Sequence, residues 1–202
     1  IETHYTHGNL LKTLELAFNE LEQMPDSLTM EQLAAIDEFH IGGRQATTHL
    51  MEQVQFADQA KLLDIGCGLG GTTRYLASHF DSQVIGIDLT AEYLNIGKLL
   101  NQKLGLTNEI NLLQASALSL PFAEQTLDGV TMLHVGMNIK DKQKLFSEVF
   151  RCLRKNSFFL IYDVIQNSSA DIIYPLPWSS TAEHSYLASV ETYQNTLIEA
   201  GF

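Results

Sequence analysis

The chain has 202 residues, of which 45% are hydrophobic, and carries 24 Asp and Glu against 12 Lys and Arg, a formal charge of −12. That length accommodates one α/β domain with a single core and falls short of two ordinary domains. No apolar stretch reaches the roughly 20 residues that span a bilayer, and the acidic balance, with no local cluster of Lys or Arg, argues against nucleic acid as a partner. Cys67 and Cys152 are the only cysteines and form no C-x-x-C pair, which argues against a disulfide framework or a thiolate metal site and fits a reducing cytoplasm.

In chain order, "GNLLKTLELAFNELE" (8–22) places Leu10, Leu14, Ala17, Phe18 and Leu21 on one helical face, and "TMEQ" (29–32) is a capping box ahead of a second short helix. His4 and His7 lack the H-E-x-x-H context of a metal site. From Lys61 the pattern alternates. An apolar strand over 61–65 precedes a helix over 70–80, a strand "QVIGID" (83–88), a helix over 91–104 stopped by Gly105, and a strand "INLLQ" (110–114). "LDGVTML" (127–133), a helix over 141–154 and "FFLIYDV" (158–164) continue the series. Such alternation predicts βαβ units and a mostly parallel sheet with helices on both faces. Residues 166–188, with Pro175, Pro177 and Trp178, read as an irregular excursion before a last helix near 190–200.

In a sheet of this kind ligands bind outside the carboxyl ends of the strands. The first such end carries "LLDIGCGLGG" (62–71), which fits G-x-G-x-x-G at Gly66, Gly68 and Gly71. A triphosphate loop requires a lysine after the glycines, and there is none. A dinucleotide fits the spacing, because Asp88 stands 20 residues beyond Gly68, where a ribose-binding acid is expected. Asp64, two residues before Gly66, opposes a pyrophosphate and suits an ammonium or a sulfonium, which favours S-adenosylmethionine. The carboxylate of its methionine can then be received by amides at the start of the helix over 70–80. A nicotinamide-dependent oxidoreductase using the same loop stays open, although no tyrosine has the lysine four residues on that short-chain dehydrogenases use.

The ordered series "LLDIGCGLGG", "VIGIDLT", "LSLPFAEQTLDGVTMLHVGMNI" and "LFSEVFRCLRKNSFFLIYDV" resembles the class I S-adenosylmethionine-dependent methyltransferases over residues 61–202. "DEFHIGGRQAT" (37–47), "HVGMNI" (134–139) and "YPLPWS" (174–179) narrow the resemblance toward a bacterial small-molecule subgroup, the sarcosine/dimethylglycine methyltransferase-like proteins. It implies a Rossmann-like domain over 58–202, an N-terminal helical lid over 1–57, and a substrate-side excursion over 166–188. The antiparallel strand pair that closes the family fold is expected to be absent from this chain, and "RKNS" (154–157) replaces the usual Pro-Gly-Gly turn.

By the same resemblance Gly66, Gly68 and Gly70 line the methionine portion of the cofactor with the Cys67 backbone, and Asp64 faces its amino group. Asp88 accepts from the ribose hydroxyls, and Leu89 lies along the adenine. Ser116 and Ala117 stand where the family commonly has an adenine-reading aspartate, and Leu133 and His134 end the fourth strand beside the reacting methyl. Met137 and Trp178 line the acceptor. The expected function is methyl transfer to a small soluble molecule, an amine such as a glycine derivative or alternatively a phenol or quinone-type carbon, by a cytoplasmic protein that forms a homodimer. A non-catalytic cofactor-binding protein is a further alternative. Holding nucleophile, methyl and sulfur in line is the main task; His134, His40 and Tyr5 are the candidate bases.

Overall fold

A computed structural model describes residues 29–168 and 171–202. The helix expected over 8–22 and the residues His4, Tyr5 and His7 lie outside those described. The first helix, α1 (Met30–Asp37), begins at a reciprocal cap: Thr29 Oγ1 accepts from the Gln32 amide at 3.3 Å and Gln32 Oε1 accepts from the Thr29 amide at 2.9 Å. Gly42, at φ 84°, turns the chain into α2 (Gly43–Met51).

Then come β1 (Lys61–Ile65), α3 (Gly71–His79), β2 (Gln83–Asp88), α4 (Ala91–Lys103), β3 (Ile110–Gln114), β4 (Leu127–Leu133), α5 (Lys142–Cys152), β5 (Leu153–Tyr162) and α6 (Val190–Ala200). The strands form one sheet in the order β3-β2-β1-β4-β5, with every pair parallel. This is the Rossmann-like architecture of class I methyltransferases. Strand order reverses between β1 and β4, so the crevice for a ligand opens beyond the carboxyl ends of those strands.

Alternation along β1 divides the core. Leu62 packs with Met51, Leu76 and Val84 on the side of α2 and α3, whereas Leu63 and Ile65 pack with Leu145, Phe146 and Val149 on the side of α5. Both faces are covered, which is why these strands read as continuous apolar runs.

The last strand departs from expectation. It starts at Leu153 instead of 158, and its pairing jumps from Leu153 opposite Leu127 to Phe158 opposite Gly129. Residues 154–157 are taken up as an irregularity in which Asn156 adopts φ 62° and Arg154 pairs with Asp128. Asparagine tolerates that left-handed conformation, so the expected turn becomes part of the strand. The strand ends at Tyr162 and not at 164, because Asp163 uses its carboxylate to accept from the Val164 amide at 2.9 Å and the Tyr193 hydroxyl at 2.6 Å.

The excursion folds back on itself and against the loop after β4. Gln166 N donates to Ala188 O at 3.0 Å, and Tyr186 N donates to Met137 O at 2.7 Å. Lys142, buried at the start of α5, donates to the carbonyls of Gly136, Ile139 and Tyr186 at 3.2, 3.0 and 2.6 Å. One ammonium therefore ties the loop after β4 to the excursion.

Candidate active site

The glycine loop is held from below by β2. The amides of Gly66 and Cys67 both donate to Ile87 O, at 2.8 and 3.0 Å, and the Gly68 amide donates to Asp88 Oδ2 at 3.0 Å. Asp88 Oδ1 accepts from the Thr90 amide at 2.8 Å. Burial raises the Asp88 pKa, and these two amides pull it back. Gly66, Gly68 and Gly70 all have positive φ, but for different reasons. A Cβ on Gly66 would lie 2.3 Å from Val135 Cγ2, whereas a Cβ on Gly68 would meet nothing within 4 Å. Gly68 therefore leaves its Cβ direction open where the loop borders the cavity.

That cavity has a volume of about 540 Å³, within the roughly 300–1,000 Å³ common for small-molecule sites. Asp64, Gly66, Cys67 and Gly68 form its floor, and Asp88, Leu89, Ser116 and Ala117 form one end. Leu133, His134, Met137, His40 and Trp178 stand at the other boundaries, so the fold gathers these sequence-selected residues around one space. Gly70 is the exception. It does not line the cavity: a Cβ there would approach Arg74 at 3.0 Å, and the residue serves as the N-cap of α3. Its positive φ serves the turn into the helix.

At the start of α3 the protein's own acids pack against Gly71: a Cβ there would lie 2.6 Å from Asp37 Oδ1 and 2.7 Å from Glu38 Cγ. Asp37 pairs with Arg74, which also donates to Asn101 Oδ1 at 2.8 Å. Glu38 pairs with Arg44 at 2.7 Å and accepts from Thr47 Oγ1 at 2.7 Å. Nothing in the local sequence pattern marks Asp37 or Arg74 as partners, for they are 37 positions apart.

Asp64 is 2% exposed, and its two oxygens accept from Thr73 Oγ1 at 2.7 Å and Thr131 Oγ1 at 3.0 Å. Burial raises its pKa to about 6 despite those hydroxyls. Cys67 is buried, and burial pushes its thiol well above the usual range, so it carries no thiolate chemistry at neutral pH. Ser116 Oγ accepts from the Leu118 amide at 3.2 Å, fixing the turn after β3.

At the far end the His134 ring stacks on Tyr162 at 5.3 Å between centroids and lies 6.0 Å from His40. Its backbone is in the left-handed region at φ 55°, held by the His134 amide donating to Tyr162 O at 2.7 Å. Burial, with a smaller contribution from His40, lowers the His134 pKa to about 4. Burial lowers the His40 pKa as well. His40 Nε2 lies 3.0 Å from Gly43 O, a carbonyl that can only accept, so Nε2 carries the proton. Trp178 Nε1 donates to Ser185 Oγ at 3.2 Å, and the adjoining Pro177, His184 and Tyr186 complete this wall. His184 and Tyr186 carried no distinguishing signal in an irregular stretch of sequence. Among the described residues no group of three or more His, Cys, Asp or Glu is placed to hold a metal ion, and no helix is long and apolar enough to cross a membrane.

The fold is that of class I methyltransferases, and comparison with known proteins agrees. Residues 63–161 match the family described as "Methyltransferase domain". That span, just under half of the chain, is thus similar to a methyltransferase domain. It is 35% identical over 103 residues to 24-methylenesterol C-methyltransferase 3 of Arabidopsis thaliana, covering 51% of this chain and 29% of that protein. To phosphoethanolamine N-methyltransferase 1 of the same plant it is 28% identical over 169 residues, covering 80% of this chain and 32% of the relative. The chain therefore spans under two fifths of the length of either. A crystal structure assigned as a sarcosine dimethylglycine methyltransferase from Galdieria sulphuraria superposes with a TM-score of 0.67 at 21% identity, over 78% of this chain and 61% of that one. These comparisons favour the methyltransferase over the nicotinamide-dependent alternative.

Proposed function

We propose that the protein binds S-adenosylmethionine across the glycine loop and transfers its methyl group to a small-molecule acceptor, an amine. The observation that carries this reading is the continuity of one cavity from Asp88 and Leu89, past the open Cβ position of Gly68, to His134 and Trp178. The cofactor supplies a methyl group already activated by a positively charged sulfur. Asp88 would accept from the ribose hydroxyls, and Leu89 and Ala117 would bracket the adenine beside Ser116. Gly66, Cys67 and Gly68 would present their backbone to the methionine portion, with Leu133 beside the transferred methyl. Asp64 contributes negative charge beneath the loop, which suits a cationic ligand and opposes a pyrophosphate.

Little catalytic chemistry is then needed from side chains beyond holding the acceptor in line. His134, with a pKa near 4, is a neutral ring at physiological pH and a weak base. A group of that kind can accept a hydrogen bond from an amine and orient its lone pair, but is poorly matched to deprotonating a phenol. Trp178 and Met137 would pack against the methylated ammonium product, the indole by a cation–π contact. The relatives act on different acceptors by their names, a sterol and a phosphoethanolamine, so the amine class is taken from the site. Phe39, His40 and Ile41 between α1 and α2, together with the excursion, line the cavity and are proposed to roof the site as lids.

A mass-spectrometric screen of glycine derivatives, other small amines, phenols and quinols with S-adenosylmethionine tests this. Methylated amine together with S-adenosylhomocysteine is the expected product. Methylation confined to phenols or quinols would overturn the amine class, and tighter calorimetric binding of NAD than of S-adenosylmethionine would overturn the cofactor.

A further inference from the structure

Asp37 closes α1 and is only 4% exposed. Its Oδ2 accepts from Arg74, and its Oδ1 is buried without a hydrogen-bond donor. The residue lines the cavity at the glycine-loop end, where Oδ1 overhangs Gly71. A carboxylate oxygen removed from water and given no donor is a standing cost to the fold, and a cation entering the cavity relieves it. The neighbouring groups cannot do so. Arg74 is engaged with Asp37 Oδ2 and Asn101, and Arg44 pairs with Glu38. Asp64, the acid singled out by sequence, differs in that both of its oxygens already accept from threonine hydroxyls.

Resting on the reading of the cavity as an S-adenosylmethionine site, we infer that Asp37 Oδ1 receives the ammonium of the cofactor's amino-acid tail. Asp37 is then a cofactor-binding residue that sorts adenosyl thioethers bearing an α-amino group from those lacking one. The charge requires this polarity. Two carboxylates repel at short range, so the tail places its ammonium, and not its own carboxylate, against Asp37. The same contact makes α1, which lies outside the span of the family match, part of the cofactor site.

Calorimetry with S-adenosylhomocysteine and with 5′-methylthioadenosine, which lacks the amino-acid tail, separates the outcomes. In Asp37→Asn the affinity for S-adenosylhomocysteine should fall about 10- to 100-fold, the loss typical of one charge-assisted hydrogen bond, while that for 5′-methylthioadenosine stays within about twofold. Equal losses for both ligands would show that Asp37 only supports the loop, and no loss for either would place the ammonium elsewhere; both overturn the assignment. If Asp37→Asn does not fold, carboxyl-carbon NMR of the wild-type protein decides. The Asp37 resonance should titrate at lower pH with S-adenosylhomocysteine bound than with 5′-methylthioadenosine bound, and identical titration overturns the assignment. Failure of the wild-type protein to bind either nucleoside would instead sink the cofactor reading on which this one rests.

Discussion

His134 couples the site to pH through its burial. Its pKa in the fold, about 4, lies below the ordinary 6.5, so the folded state prefers the neutral ring. The stabilisation this provides is complete above pH 6.5 and is lost as the pH falls toward 4, where the folded ring at last takes up its proton. Asp64 acts in the opposite sense. With its pKa raised to about 6, its ionisation weakens the fold as pH rises from about 4 through 6. Comparing the wild type with His134→Asn cancels the Asp64 contribution and isolates His134. Asparagine tolerates the φ of 55°, so the exchange need not add backbone strain. Melting temperatures measured from pH 7.5 to 4 should fall more steeply for the wild type than for the variant. Parallel curves would mean that His134 is as accessible to protons in the fold as out of it.

At the scale of elements, the turn from β1 into α3 separates binding from stability. Gly66 and Gly68 share positive φ, and a side chain at either position costs about 1–2 kcal/mol in backbone strain. Only Gly66 adds a steric clash, since its Cβ would have to displace Val135. Gly68→Ala should therefore melt within a few degrees of the wild type yet lose at least tenfold in affinity for S-adenosylhomocysteine, because the methyl occupies cavity space. Gly66→Ala should melt well below it. Calorimetry and circular dichroism check both, and full affinity in a folded Gly68→Ala protein would move the ligand away from the loop.

The excursion is a different kind of element, because the Lys142 ammonium and the Met137 carbonyl hold it and no regular ladder does. Replacing Lys142 with Met leaves three carbonyls without their ammonium donor, including Tyr186 O at 2.6 Å. Trp178 is the only tryptophan in the chain and lies in that wall, so its emission reports the change directly. Lys142→Met should shift Trp178 emission to the red and speed hydrogen exchange over 182–188. Affinity for S-adenosylhomocysteine should stay within about twofold, since the cofactor end is built from other strands. Unchanged emission and exchange would show the wall to be held by something else.

For the molecule as a whole, the division between what was legible in sequence and what was not follows the range of the interactions. Apolar runs, helix starts and the glycine loop rest on neighbours within a few residues, and they determined the strand and helix series, the parallel sheet, and the places of Asp64, Gly66, Gly68 and Asp88 at strand ends. The capping box at Thr29 and Gln32 was legible for the same reason. The course of 154–157 was not, because an asparagine in the left-handed region can sit in a turn or in an interrupted strand, and pairing with β4 decides between them. The motif does not record what surrounds Gly70 and Gly71 in space, Arg74 for one and Asp37 and Glu38 for the other. The joining of α1 to the glycine loop through Asp37 and Arg74 spans 37 positions, and that of the excursion to α5 through Lys142 and Tyr186 spans 44. Buried charges find such partners only after the sheet has brought distant segments together, and no local periodicity records them. The sequence by itself therefore determined the scaffold and the floor of the cavity, whereas tertiary structure alone decided its walls and the burial that shifts the titration of Asp64 and His134.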